Sequence, residues 1–453
     1  MSAYQKHYAG DCSHTGSYYE ASANAKSSRD ALAGEHECEI CVVGGGYSGL
    51  STALHLVEKG HGVTLIEGAR IGWGASGRNG GQIVNGLNAS LGVIEKRYGN
   101  EFASFVGKLV QEGSQIIRGN IKKYNIQCDL KEGNLFAAYT EKHLRELRVK
   151  QKLWRRHGMN DHEMVSKEEM RGFVGSDDHV MLSKDEMGHY IGSDVYCGGM
   201  IDKTGGHIHP LNLALGEASA IESNGGKIFE MTRMESMQKS GKDIIVKTDN
   251  GTVRCNKLVI CGNAYLGKVI PQLTSRVMPV STQIIATKPL GDDLANEILP
   301  TDICVEDVRY ILDYYRLSAD KRLLFGGGTV YGGSDPKDVI AKLRPSLEKV
   351  FPQLKGIEID YAWSGNFALS FSRVPQMGRL GNNVYFAHGY SGHGVTGSHL
   401  FGRILSEAID NDTKRFDEFS KVPWIPFPGG RTLRVPYSIA GSWWYGLRDT
   451  LGL

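Results

Sequence analysis

The sequence predicts an α/β protein of two domains. One is a Rossmann-like body on a helix-covered parallel sheet, and the other is an α+β body on a mixed or antiparallel sheet. Three observations predict this. A short apolar run at residues 40–43 leads into a glycine turn, a helix and a second apolar strand ending on an acid. Two further buried-type strands, at 258–261 and 383–387, each run into glycine and recur far along the chain. Between them, residues 279–373 are rich in strand-forming segments.

The first stretch is the most informative. Ile40, Cys41, Val42 and Val43 suit a short strand buried on both faces. Gly44, Gly46 and Gly49 follow at G-x-G-x-x-G spacing, with Tyr47 and Ser48 inside the motif. The first glycine permits the tight turn and the second lets the backbone approach a pyrophosphate. The third lets helix and strand pack closely. The next helix carries Leu50, Ala53, Leu54 and Val57 on one face and stops at Gly60. Its N-terminus directs unpaired N–H groups and a positive dipole end at phosphates. The strand at 63–66 ends on Glu67, about 20 residues past the glycines, where an acid accepts bonds from a ribose hydroxyl. This motif fits NAD, NADP and FAD alike.

Composition sets the remaining bounds. The 453 residues suffice for two or three domains. A net charge of +2 gives no electrostatic footprint for nucleic acid. The 58 glycines follow no G-X-Y period, so they belong to turns and close backbone approaches. No apolar leader is visible and no apolar run spans a bilayer, which makes a cytoplasmic location the default expectation. Eight scattered cysteines do not form a disulfide pattern, and Cys38 and Cys41 read as packing around the first strand. No metal cluster is expected.

Taken in order, residues 1–36 read as a polar arm on the surface, including SYYEASAN. Residues 68–86 form a loop in which Ser76, Arg78, Asn79 and Gln82 alternate with glycines, suited to laying backbone N–H groups against a planar polar ring. Residues 91–170 read mainly as helices and 180–200 as strand-like. Pro210 opens a helix, and Asn250-Gly251 marks a hairpin turn between strands. The strand at 258–261 returns the chain to the first sheet. The strand at 383–387 leads through GYSGHGVTGS into a helix with Leu400, Ile404, Leu405 and Ala408 on one face. The nucleotide domain is therefore expected to be discontinuous, from 37–110, 201–267 and 376–411. Residues 111–200 and 268–375 make the substrate domain, and 412–453 form a tail packed on the body.

Three stretches, GASGRNGGQ, LVICGNAYL and YFAHGYSGHGVTGS, together resemble the D-amino-acid oxidase/sarcosine oxidase group of FAD-dependent amine oxidoreductases. The likeness extends to SYYEASAN and FPGGR, and is nearest to the branch acting on gamma-glutamyl-capped diamines. It implies an FAD-binding domain of glutathione-reductase type. The pyrophosphate would lie over Gly44, Gly46, Tyr47, Ser48 and Gly49, with the ribose on Glu67 and Gly68. The isoalloxazine would lie against Ala75, Ser76, Arg78, Asn79, Gly80 and Gly81. Met234 would approach adenine, and Gly262 and Ala264 the return of the middle strand. Gly392, His393, Gly394, Val395 and Thr396 would face the flavin pyrimidine, where a helix N-terminus favours the charge of the reduced ring. Two departures are visible. No cysteine occurs in YAWSG, residues 361–365, so the FAD is expected to be non-covalent. Thr396 and Leu324 stand where sarcosine oxidases carry lysines for the substrate carboxylate and for oxygen.

The expected reaction is oxidation of a primary amine of a gamma-glutamyl polyamine to an aldehyde and ammonia, with oxygen or another acceptor taking the electrons. An alkyl ammonium has a pKa of about 10, so a desolvating aromatic pocket favours the reactive neutral amine. His393, Trp363 and Tyr315 are the candidate catalytic residues. Tyr310, Tyr314 and Phe367 are further aromatics of the covering segment, and two aromatics are expected to reach the pocket. A sarcosine- or glycine-type oxidase, a flavin monooxygenase and a non-catalytic flavoprotein are the alternatives.

Overall fold

A computed structural model of the chain describes residues 12–25, 28–159 and 179–451. Among these residues the strands form two sheets, of eight and nine strands. The first sheet holds, in spatial order, Gln376–Leu380, Val384–His388, Gly251–Ile260, Gly34–Val43, Val63–Ile66 and Lys227–Phe229. Its central strands run parallel, with Val43 opposite both Ile66 and Ile260. The hairpin expected at Asn250-Gly251 joins Asp243–Thr248 to Gly251–Ile260 as a branch from this order. The strand at 40–43 is longer than its apolar run, because residues 34–38 continue it along Gly251–Cys255.

Helices cover this sheet. Tyr47–Glu58 and Gly394–Ile409 cross so closely that a Cβ at Gly402 would lie 2.6 Å from Ser51 Oγ. Glu112–Tyr124 and Pro210–Ser223 pack beside them. Glu217 is fully buried at their junction, where it accepts hydrogen bonds from Asn120 Nδ2 and His399 Nε2, both at 2.9 Å. Burial alone would lower the His399 pKa, but the Glu217 carboxylate and the Val395 carbonyl together raise it.

The second sheet runs Ile359–Ser370, Val277–Thr287, Leu323–Tyr331, Tyr314–Leu317, Cys304–Asp307, Lys131–Ala138, Gly198–His207 and Gln82–Ile83. It is antiparallel except where Cys304–Asp307 lies parallel to Lys131–Ala138. One face packs on a core of Leu135, Val305, Tyr315, Phe325, Ile285 and Phe351. The other face looks toward the nucleotide sheet.

Several sequence expectations change here. Gly198–His207 pairs wholly within the second sheet, so it crosses the domain boundary expected at 200/201. Lys131–Ala138 is a strand inside the segment read as helical, because its apolar residues pair with Gly198–His207 and Cys304–Asp307. The arm is not confined to the surface. Ser17 caps the short helix Tyr18–Ala21, and Tyr19 is fully buried against His209 and Trp363. The part of the helical expectation at 160–170 lies outside the described residues. In the tail, Phe427 is buried, Val435 packs near Gly332 and Arg434 donates to the Val277 carbonyl at 2.7 Å. Farther along the helix Gly430–Leu451, Trp443 and Trp444 are exposed. None of the eight cysteines is in a disulfide among the described residues.

Candidate active site

A cavity of about 1470 Å³ lies between the two sheets. This exceeds the 300–1,000 Å³ typical of small-ligand pockets, as an extended dinucleotide with a substrate requires. The strand–turn–helix motif forms one wall. Gly44, Gly46, Tyr47 and Ser48 line it. Gly44 sits at φ +115, with the Cys261 carbonyl 2.8 Å from where a Cβ would be, so the turn needs glycine. Gly49 does not line the cavity. A Cβ there would overlap the Gly44 carbonyl oxygen, so its task is the helix–strand contact that its place in the motif predicts. The helix Tyr47–Glu58 has no side-chain cap at its N-terminus, nor has Gly394–Ile409, and the first residues of both line the cavity. Two uncapped positive helix ends facing one space make an anion-binding arrangement.

Glu67, Gly68 and Met234 also line the cavity. The Glu67 carboxylate accepts hydrogen bonds from Gly45 N at 2.6 Å and Ala69 N at 2.9 Å. Burial raises its pKa, and those two N–H groups oppose the rise. The glycine-rich loop comes next. Ala75–Gly77 is one turn of 3-10 helix, and Ala75, Ser76, Arg78, Asn79 and Gly80 line the cavity. Ser76 Oγ accepts from Tyr47 N at 2.9 Å, fastening this loop to the glycine turn. Gly262, Gly392, His393, Gly394 and Val395 also line it. Burial, reinforced by the Lys150 charge, pushes His393 down to about 4, so its imidazole is neutral at neutral pH.

Other expected residues lie elsewhere. Gly81 packs on Arg316 and the Ile208 carbonyl, and Ala264 is buried in a small core cluster. Thr396 donates its hydroxyl to the Val84 carbonyl at 2.6 Å, and Leu324 is buried in the core, away from the cavity. Two of the three catalytic candidates are corrected. Tyr315 is on the wrong face of its strand, stacked on Phe325 with its hydroxyl on Tyr196 Oη at 3.0 Å. Successive strand residues point to opposite faces, so its neighbour Tyr314 lines the cavity instead. Trp363 is buried beneath the loop and donates Nε1–H to the Arg78 carbonyl at 2.9 Å, which makes it a positioning residue. Of the five aromatics named from the covering segment, Tyr310, Tyr314 and Phe367 reach the cavity, three where two were expected, and Tyr331 and Phe371 of the same segment line it as well.

Register places a row of residues across the second sheet: Met200, Phe136, Glu306, Tyr314, Gly326, Ile284 and Trp363. The Tyr314 ring lies over Gly326 and reaches Gly80 of the loop. Sequence reading missed three charged residues of this region. Arg316 is almost fully buried. Its Nε donates to the Gly80 carbonyl at 2.7 Å and its NH2 to the Ile208 carbonyl at 2.8 Å, fixing the loop from below. Glu306 and Lys150 both line the cavity. An acid among valines in CVEDV was a signal for Glu306. Lys150 gave none within a charged helix.

The residues of this cavity fit FAD. They supply a glycine turn, two uncapped helix ends, an acid placed for a ribose and a loop of small polar residues for a planar ring. Bound there, FAD supplies a two-electron acceptor. Among the cavity residues Cys261 is the cysteine, and burial pushes its thiol up to about 11, which leaves it an inert packing group beside the phosphate turn. No helix among the described residues is long and apolar enough to cross a membrane.

Known proteins resemble this chain in sequence and in fold. The chain is 49% identical over 441 residues to gamma-glutamylputrescine oxidoreductase of Escherichia coli (strain K12), covering 97% of this chain and 99% of that one. It is 37% identical over 444 residues to the probable oxidoreductase OrdL of Haemophilus influenzae, covering 96% and 97%. Among solved structures, L-proline dehydrogenase from P. horikoshii superposes with a TM-score of 0.68 at 20% identity, over 86% of this chain and 97% of that one. Glycine oxidase from Bacillus cereus gives 0.66 at 19% identity, over 84% and 98%. At that identity the likeness concerns the fold alone. The family profile "FAD dependent oxidoreductase" (DAO) matches residues 39–408, most of the chain. The chain therefore belongs to the DAO family of FAD-dependent oxidoreductases.

Proposed function

We propose that this enzyme oxidises the free primary amine of gamma-glutamylputrescine, or of a closely related gamma-glutamyl polyamine, to an aldehyde and ammonia. The observation that carries the reading is the 49% identity across 97% of the chain to the E. coli enzyme of that name. FAD held by the glycine turn, Glu67 and the loop at residues 75–80 would supply the acceptor for the hydride on the carbon bearing nitrogen, and water hydrolyses the imine that the amine becomes. The chain's own residues prepare the amine. Tyr310, Tyr314 and Phe367 give the pocket an aromatic lining that disfavours the ammonium form. Tyr314, held between Gly326 and Gly80, excludes water beside the loop expected to carry the flavin ring. His393 is neutral and so adds no positive charge where an iminium must develop.

The absence of a near-flavin anchor also favours a long substrate. Thr396 is turned away to Val84. A gamma-glutamyl cap would instead hold the molecule by polar contacts several bonds from the reacting carbon, converting remote binding into turnover. Free putrescine loses those contacts and should react about 10²-fold worse in kcat/KM. Anaerobic bleaching of the flavin, followed by steady-state rates on gamma-glutamylputrescine, putrescine, sarcosine and glycine, tests this. Equal or better activity on free putrescine sinks the cap argument. Preference for sarcosine or glycine moves the enzyme to another branch, and bleaching only by NADPH makes it a monooxygenase.

A further inference from the structure

We propose that Lys150 and Glu306 are the seat for the amino-acid head of the substrate, with Lys150 taking its α-carboxylate and Glu306 its α-ammonium. The proposal rests on the reading of the site as one for a gamma-glutamyl-capped amine, and names the residues that recognise the cap.

The two side chains come from different elements onto one space. Lys150 descends from the helix Glu141–Arg156, and Glu306 rises from Cys304–Asp307 beside Phe136 in the transverse row. Both line the cavity and both are only partly exposed. Among the described residues neither makes a hydrogen bond or an ion pair, and they do not pair with each other. The Lys150 ammonium rests on the faces of Phe136 and Trp154, 3.7 and 4.7 Å from the ring centroids. Glu146 and Lys268 also line the cavity but are exposed to water, and the half-buried charges around it are already engaged. Arg309 is held by Asp307 and Asp313, and Glu67 by two backbone N–H groups. Arg78 Nε donates to the Trp73 carbonyl.

Withdrawing an ionic group from water without a partner is costly, so two such groups of opposite sign in one cavity call for a ligand carrying both complements. An α-amino acid head carries a carboxylate and an ammonium on one carbon. The two side chains feel each other: burial pushes the Glu306 carboxyl up to about 7, and Lys150 opposes that rise. Burial in turn lowers the Lys150 pKa, and Glu306 opposes that change. A zwitterion set between them holds both in their charged forms. The alternative carboxylate anchor on the helix Gly394–Ile409 is missing, since Thr396 does not face the cavity.

The test is a cycle of variants against substrate analogues. Lys150→Met and Glu306→Gln are compared with wild type on three amines. These are gamma-glutamylputrescine, its analogue lacking the α-carboxylate (4-aminobutyryl-putrescine) and its analogue lacking the α-amine (glutaryl-putrescine). Each variant should lose about 10- to 100-fold in kcat/KM on gamma-glutamylputrescine, mainly through KM, the scale of one charged hydrogen bond. On the analogue lacking the carboxylate the wild type is already weak, and Lys150→Met should lower it no further. Glu306→Gln should behave likewise on glutaryl-putrescine. Lys150→Arg should restore part of the loss. Gamma-glutamylbutylamide, which keeps the amino-acid head but lacks the terminal amine to be oxidised, should inhibit the wild type competitively and lose that effect in both variants. Bound FAD and Tm verify that each variant is folded. A kcat loss by Glu306→Gln equal on all three amines would overturn the proposal, because the carboxylate would then act on the reacting nitrogen. Unchanged KM in both variants overturns it too. A wild type inert to gamma-glutamylputrescine but bleached by another amine refutes the underlying reading instead.

Discussion

Replacing Glu67 by alanine tests the nucleotide end of the cavity. In the structure the carboxylate already accepts from Gly45 N at 2.6 Å and Ala69 N at 2.9 Å. It therefore shapes the glycine turn before any ribose arrives. A hydrogen bond to a charged acceptor contributes about 1.5–3 kcal/mol, and water entering the vacated space recovers part of it. Two such bonds put the expected loss of protein stability at about 2–4 kcal/mol. The lost ribose contact and the loosened turn should together weaken FAD by about 1–3 kcal/mol, or about 5- to 150-fold in Kd. Glu67→Gln separates the two effects, since it keeps the volume but loses the charge and offers an N–H₂ to one N–H donor. It should fall between wild type and Glu67→Ala. The assay is titration of apoprotein with FAD by flavin fluorescence, with thermal unfolding in parallel. Unchanged Kd in both variants would refute the assignment of the ribose to Glu67. An unchanged Tm would refute its place in the turn.

Acid or heat should release intact FAD into the supernatant, because the cavity offers no reactive thiol near the loop; flavin absorbance remaining with the precipitate would contradict this. Gly49→Ala should cost about 1–3 kcal/mol or more and lower FAD retention, since the new methyl group overlaps the Gly44 carbonyl; a normal flavin content and Tm would disprove it. Tyr315→Phe should leave kcat/KM within about twofold and cost about 0.5–1.5 kcal/mol of stability, the scale of one hydroxyl bond to Tyr196. A large rate loss in that variant would return Tyr315 to the site. Stability from the His399–Glu217 pair has a defined sign with pH. The His399 pKa is raised by Glu217 against burial, so its contribution is complete below the unfolded value of about 6.5 and is lost as pH rises through the folded one. Wild-type Tm should fall over that window, and Glu217→Gln should flatten the fall; parallel profiles would count against the pair.

Much of the nucleotide half was legible from the chain alone. The run 40–43, the glycines and Glu67 are contiguous, and their jobs are local: a turn, a helix start, a strand end. Local geometry depends mostly on neighbours in sequence, so the spacing itself carries the information. The parallel return of residues 258–260 and 384–386 was legible for a related reason. Strands buried on both faces are apolar throughout, and they stand out.

The substrate half was not legible in the same way. Whether Tyr314 or Tyr315 meets the cavity depends on the register of Tyr314–Leu317 between its neighbours, and a shift of one residue exchanges the two faces. Arg316 looks like a surface charge until the arm, the loop and the Ile208 carbonyl close over it. Lys150 belongs to a helix whose sequence is mostly charged, and only the seating of that helix over Phe136 brings its ammonium into the cavity. Thus the sequence by itself determined the dinucleotide motif, the family and which distant strands return to the first sheet. The tertiary structure decided which side chains face the substrate, because that depends on strand register and on a helix laid across a sheet. Both are set by how separate elements pair and pack, which no local sequence pattern states.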